Sequence, residues 1–216
     1  NAGSGTLTCA GDFTTSGGLL GASALRFDGI NDTVTIPISA SENDHIKGAF
    51  ADGVFTVEGW IKMPTDFAGG VWVMKNVEFS VYIASDSATG WSLADGSSWS
   101  FASNPFTMPN LEDNKWHHLA FSRRNEAGNQ GYYDIYVDGK LVVTHKVASA
   151  GLWTANDDDL FIGSYNGSGN FLGGGADDTF VENIRIWGTA RTATQIRADM
   201  FQGGTLANST GLVGRW

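Results

Sequence analysis

Apolar and polar residues alternate with a period of two through much of the chain. From Val54 to Met63, Phe55, Val57, Ile61 and Met63 fall on one side, and Thr56, Glu58 and Lys62 on the other. That is the pattern of a strand with one apolar face. From Lys115 to Arg123, Leu119 and Phe121 oppose Trp116, His118 and Ala120, and from Tyr132 to Asp138 the residues Tyr133, Ile135 and Val137 share a face. Asp138-Gly139 predicts a type I′ hairpin turn, with the chain returning through Lys140 to Val147. Shorter apolar stretches predict further strands at Leu25–Ile30, Thr33–Ile38, Val71–Lys75, Val77–Ile83, Leu160–Ser164 and Thr179–Trp187. The period changes near the C-terminus. Thr192 followed by Gln195 fits a capping box, and Ile196 and Met200 lie one turn apart, which predicts a short helix.

Many short strands and one late helix predict an all-β fold: a two-sheet antiparallel β-sandwich, or jelly roll, with one short C-terminal helix. Twenty-nine glycines against four prolines suit bent strands joined by tight turns. With 216 residues the chain reads as a single domain, 1–216, without internal repeat or linker. Residues 1–20 are rich in Gly, Ser and Thr and read as loop. Residues 211–216, Gly-Leu-Val-Gly-Arg-Trp, read as a strand. It either closes this domain's sheet by pairing with the N-terminal segment or begins a following module. Closure is the favoured reading, with Leu212 and Trp216 buried and Val213 and Arg215 outward.

Charge removes some functions. With 13 basic and 23 acidic residues the net charge is −10, so no basic stripe exists to neutralise phosphates, and nucleic acid is not an expected partner. The acidity equally serves solubility. No apolar run approaches the length needed to span a bilayer, so membrane insertion is not expected. Cys9 is the only cysteine, which rules out an intrachain disulfide. The chain opens on Asn1, so a removed leader is compatible with it. Asn31-Asp32-Thr33, Asn166-Gly167-Ser168 and Asn208-Ser209-Thr210 fit the N-glycosylation pattern, which arises often by chance in such a composition.

Catalytic patterns are missing. A sandwich glycosidase needs two carboxylates across the sugar, expected at alternate strand positions. Glu58, Glu78 and Glu182 have no acidic residue two positions on, and Asp138 is better explained as the turn residue beside Asp134. There is no Gly-x-Ser-x-Gly elbow, and Cys9 has no evident base nearby. His117 and His118 are adjacent on a strand and point to opposite faces, so they cannot share one ion.

Four segments together resemble the laminin-G-like, pentraxin-related jelly rolls of the concanavalin A-like class. They are Ala24-Leu25-Arg26-Phe27-Asp28-Gly29 with Asp32 and Val34; Phe55-Thr56-Val57-Glu58-Gly59-Trp60-Ile61; Trp116-His117-His118-Leu119-Ala120 with Tyr136-Val137-Asp138-Gly139; and Ile184-Arg185-Ile186-Trp187 with Arg191 and the helix from Thr192. The resemblance implies two packed antiparallel sheets, often with calcium at one edge, and glycans or proteins as ligands. Two features depart from it. Glu182-Asn183 stands where an Asp is common, and the usual opening Gly-Leu-Val run comes last, at Gly211.

On this resemblance Asp28, Asp32, Asp177, Asp178 and Glu182 are the candidate calcium ligands, since carboxylates beside glycine can bring several oxygens onto one hard cation. Asp28-Gly29 and Asp177-Asp178 equally read as turns. Asp157-Asp158-Asp159 is a second acidic cluster. Of eight tryptophans, Trp60, Trp116 and Trp187 are assigned to the core, whereas Trp72, Trp91, Trp99 and Trp153 are candidates to stack on sugar rings. The expected function is non-catalytic extracellular recognition, at a cell or virion surface, of glycan or of a surface protein, with calcium as stabilising ion. The alternative is a structural module of a phage particle or long adhesin, whose partner is a neighbouring structural protein. A glycan hydrolase or lyase is a distant third.

Overall fold

The computed structural model describes residues 8–10, 18–20, 24–38, 48, 50, 52–75, 79–86, 91–93, 108–126, 130–147, 157–203, 206 and 209–216. The period-two segments become strands. In order they are β1 (Thr8–Ala10), β2 (Leu25–Phe27), β3 (Thr33–Ile36), β4 (Phe55–Lys62), β5 (Gly69–Lys75), β6 (Phe79–Ala84), β7 (Trp91–Leu93), β8 (Trp116–Glu126), β9 (Gln130–Val137), β10 (Lys140–Val147), β11 (Leu160–Ile162) and β12 (Thr179–Trp187), followed by helix α1 (Ala193–Asp199) and strand β13 (Leu212–Arg215).

They form two antiparallel sheets. One has the order β1-β3-β11-β5-β6-β7; the other runs β10-β9-β8-β4-β12-β13, with β2 also paired to β12. Phe55, Val57 and Ile61 of β4, Leu119 and Phe121 of β8, and Tyr133, Ile135 and Val137 of β9 meet Val34, Trp72, Val73, Val81, Leu160 and Ile162 of the facing sheet in one buried cluster. The β9–β10 hairpin turns on Asp138 and Gly139, at φ 50° and 71°, as a type I′ turn requires. Helix α1 is capped as its sequence predicts: Thr192 accepts from the Gln195 amide, and Gln195 reaches back to the Thr192 amide.

Two strands arise where periodicity gave no signal. β1 lies in the segment read as loop and pairs with β3, Cys9 opposite Val34. β7 pairs with β6.

The C-terminal run pairs with β12 rather than with an N-terminal strand, and its faces need correction. Ile186 opposes Gly214 and Trp187 opposes Leu212, so a bulge inserts Val213 as an extra residue. The bulge shifts the alternation. Val213 and Trp216, not Leu212, pack on the core. Removing residues 211–216 is expected to cost about 2–4 kcal/mol, because two partly buried apolar side chains and a row of ladder hydrogen bonds are lost. Urea unfolding of the shortened chain measures this, and an unchanged midpoint would show that β13 adds nothing to the sheet.

Candidate functional site

The acidic end of the sandwich follows from the β2–β12 pairing. Phe27 opposes Thr179 and Leu25 opposes Val181, which puts Asp28 and Asp178 at the same end of the two strands. The glycine run 173–175 folds against the Asp28-Gly29 turn so closely that a Cβ on Gly29 would collide with the Gly174 backbone. Gly29 also takes φ 79°, a conformation that favours glycine.

Among the described residues, no three His, Cys, Asp or Glu side chains come together as a metal-binding group. The five candidate calcium ligands are therefore not gathered in one cluster. Glu182 lies further along β12 and accepts from the amides of Leu19 and Leu20, the latter at 2.9 Å. Asp177 is exposed. Asp178 is held by Arg26 at 2.5 Å. The Arg26 guanidinium has its pKa raised first by that hydrogen bond and further by the charges of Asp178, Asp28 and Asp32. A cation built into the chain thus stands among the carboxylates.

Asp28 and Asp32 remain as a pair. Asp28 Oδ1 accepts from the Ile30 amide at 2.8 Å, an Asx turn, and Asp32 Oδ2 accepts from the Asp28 amide at 3.0 Å. Asp32 is 1% exposed, and its Oδ1 has no hydrogen-bond partner among the described residues. Burial pushes its pKa up, and the Asp28 charge adds to that. Of the five candidates, this pair alone stays together with an orphaned oxygen. Of the second acidic cluster, Asp157 and Asp158 are exposed, and Asp159 accepts from the Ile38 amide at 3.0 Å.

The aromatic candidates divide. Trp72 is fully buried beside Phe121, so it is a core residue and cannot stack on a ligand. Trp91 lies in β7 opposite Ile83, with its side chain outside what is described. Trp99 and Trp153 fall outside the described residues. Trp116, assigned to the core, is half-buried. Of the glycosylation patterns, Asn31 is exposed and Asn208 lies outside the described residues.

The outer face of the larger sheet holds what sequence reasoning missed. Beneath α1, Glu58, Arg185, Arg191, His118, Trp187 and Asp199 are all buried. Glu58 Oε1 accepts from Trp187 Nε1 at 2.9 Å and Arg191 Nη1 at 2.7 Å, with Arg185 Nη1 at 3.5 Å. Arg191 also pairs with Asp199 and stacks 3.8 Å from the Trp187 ring centroid. Burial pushes the Glu58 carboxyl up, and the two arginines pull it back. Three carboxylates borne by strands are thus committed to structure: Glu58 to this network, Glu182 to two backbone amides, and Asp134 to Arg124 and Thr144, each at 2.7 Å.

Beyond the helix the same face becomes partly exposed. Arg124, Tyr132 and Lys146 form one row across β8, β9 and β10, and Ser122, Asp134 and Thr144 the next. The signal for it in the sequence was the polar half of each alternation, which does not say what that half faces.

The fold has known counterparts. Domain 4 of AbnA, a GH43 extracellular arabinanase from Geobacillus stearothermophilus, solved with arabinotriose, matches at TM-score 0.61 and 19% identity, over 92% of this chain and 88% of that one. The botulinum neurotoxin serotype C1 binding domain matches at 0.63 and 16%, over 94% of this chain and 48% of that one. The binding domain of botulinum neurotoxin DC in complex with rat synaptotagmin II matches at 0.61 and 16%, over 89% and 45%. The chain therefore spans about half of the toxin domains. No curated protein is significantly similar to it in sequence. Residues 28–197, most of the chain, match the laminin G family model described as the concanavalin A-like lectin/glucanases superfamily, and the chain belongs to that family.

Proposed function

We propose that this domain is a non-catalytic recognition module that binds glycan outside the cell or at a cell or virion surface. One observation carries the reading: three strand-borne carboxylates, Glu58, Asp134 and Glu182, are each consumed by fixed donors of the fold. None is left as a member of the acid and nucleophile pair that glycoside cleavage needs. A partly exposed polar face with an aromatic ring remains beside them, which is the chemistry of sugar binding. The arabinotriose complex of a similar domain supports glycan as the ligand class. The synaptotagmin complex of another supports a surface protein as the second class of partner. Among the described residues no helix is long and apolar enough to cross a membrane. An oligosaccharide array tests the reading: bound glycans with micromolar to millimolar affinity are expected, and an array without a single bound glycan contradicts it.

Calcium belongs to the same proposal in reduced form, at the Asp28–Asp32 pair, because Asp32 Oδ1 is buried and unpartnered. Two carboxylates fall short of the 6–8 oxygens calcium takes, so the remainder would come from neighbouring carbonyls and water. A bound ion stabilises the native state by mass action, about 2.7 kcal/mol at one hundred times Kd. The melting temperature is expected to rise with millimolar calcium, fall with chelator, and lose both responses in Asp32→Asn. A melting curve indifferent to both leaves Arg26 as the sole cation of this edge.

A further inference from the structure

Helix α1 covers the outer face of the larger sheet only in part, where Ile196 packs on Ala120 and Tyr136. Past that contact lies the row Arg124, Tyr132, Lys146, whose members oppose one another in register on three neighbouring strands. The Arg124 guanidinium carbon lies 4.6 Å from the Tyr132 ring centroid, and Lys146 Nζ lies 5.9 Å from it. Lys146 and Thr144 are exposed, and Tyr132 and Arg124 are partly so. One row over, Asp134 spends one oxygen on Arg124 Nε and the other on Thr144 Oγ1, both at 2.7 Å. That carboxylate is paired with Arg124 and orients its guanidinium over the ring, so the three charged groups together keep one net positive charge.

A solvated sheet face explains each contact singly, since cross-strand pairs of this kind contribute about 0.2–1 kcal/mol. It does not explain their sum. In a chain of net charge −10, two cations converge on one partly exposed aromatic ring, and among the described side chains the carboxylate beside them, Asp134, is already paired. The long-range repulsion that such a chain exerts on an anion is screened beyond about 8 Å at physiological salt, so contacts at the patch decide.

We infer that Tyr132, Arg124 and Lys146 form a subsite for an acidic sugar, one bearing a carboxylate or sulfate. The sugar lies against the exposed part of the Tyr132 side chain, over whose ring the two cations stand, and its acid group is held by those cations through charge-assisted hydrogen bonds. The inference rests on the glycan reading above and names the ligand class and the place.

The test titrates the full chain with uronate, sialylated and sulfated oligosaccharides, each beside its neutral parent or, for the uronates, its methyl ester. At least one acidic glycan is expected to bind about tenfold or more tightly than its neutral counterpart, a difference of about 1.4 kcal/mol. That preference should shrink as salt rises and vanish in Lys146→Glu. Tyr132→Ala should weaken acidic and neutral forms alike, and Tyr132→Phe should restore binding. Lys146 is exposed, so its variant is expected to melt as the parent does, which separates lost binding from lost folding. If neutral glycans bind and Lys146→Glu and Tyr132→Ala leave them unchanged, the subsite is overturned and glycan recognition stands. If nothing of either class binds, the recognition reading falls with it.

Discussion

Replacing Glu58 with alanine is expected to destabilise the domain by about 3–5 kcal/mol, the cost of leaving a buried charge without its partner. Glu58 is fully buried, and its Oε1 receives Trp187 Nε1 and Arg191 Nη1, with Arg185 close by. Those arginines carry the network onward. Arg185 donates to the carbonyls of Asp199 and Gln202, at 2.8 and 2.5 Å, and Arg191 to the carbonyl of Gln195 at 2.9 Å. All three acceptors belong to α1 or the residues just after it. Glu58 on β4 is therefore what the C-terminal helix is docked upon. Without it two guanidinium groups stay in a dry layer, or the helix lifts away to hydrate them. Glu58→Gln, which keeps the shape and one acceptor, should cost less than the alanine variant. Chemical unfolding measures both, and an alanine variant with the parent's midpoint would refute this account of the layer.

Acid should unfold the domain through His118 before most carboxylates are protonated. His118 lies in the same layer, with its ring edge-on to Trp60 at 5.2 Å. Burial, followed by the charge of Arg185, pushes its pKa down to about 3. A depressed pKa means that the unfolded chain takes up the proton first. The contribution of His118 is thus present above its ordinary value and is lost as pH falls from there towards the folded value. The slope is about 1.4 kcal/mol per pH unit at full effect. His117, its neighbour, behaves oppositely. Its ring lies between Asp138, 3.0 Å from Nδ1, and Asp113, 3.1 Å from Nε2. Its pKa is raised first by the Asp138 hydrogen bond. That contribution is present below the ordinary histidine value and fades as pH rises through the folded one. An NMR titration should show one ring neutral down to about pH 4 and the other still charged above its ordinary value. Both rings titrating together would contradict the opposed environments. His118→Gln should flatten the acid limb of the stability curve.

The apolar half of the fold was legible because a strand writes its inner face at every second residue. Phe55, Val57 and Ile61, Leu119 and Phe121, and Tyr133, Ile135 and Val137 all enter the core that the alternation predicts. The Asp138-Gly139 turn and the Thr192 cap were legible because each rests on local chemistry. The polar half was not. Alternation distinguishes the two sides of a strand but does not say what covers the polar one. Glu58 and His118 are thus placed only on the side away from the apolar residues, and the structure shows them buried there beneath α1, with Arg185. The same ignorance of long-range partners misplaced Glu182, whose carboxylate is spent on Leu20, and Val213, which a bulge turns inward. Arg26 carries the clearest lesson. The acidic residues around it suggested a metal, and the sequence held no sign that the β2–β12 register brings this arginine to Asp178.

The proposed recognition role requires the sandwich to hold a glycan without cutting it. The most direct measurement incubates the domain overnight with a glycan it binds and then analyses the ligand by mass spectrometry. A ligand recovered intact in mass and reducing-end content, with binding retained, is the expected result. Release of shorter or unsaturated products in proportion to the protein added would contradict it.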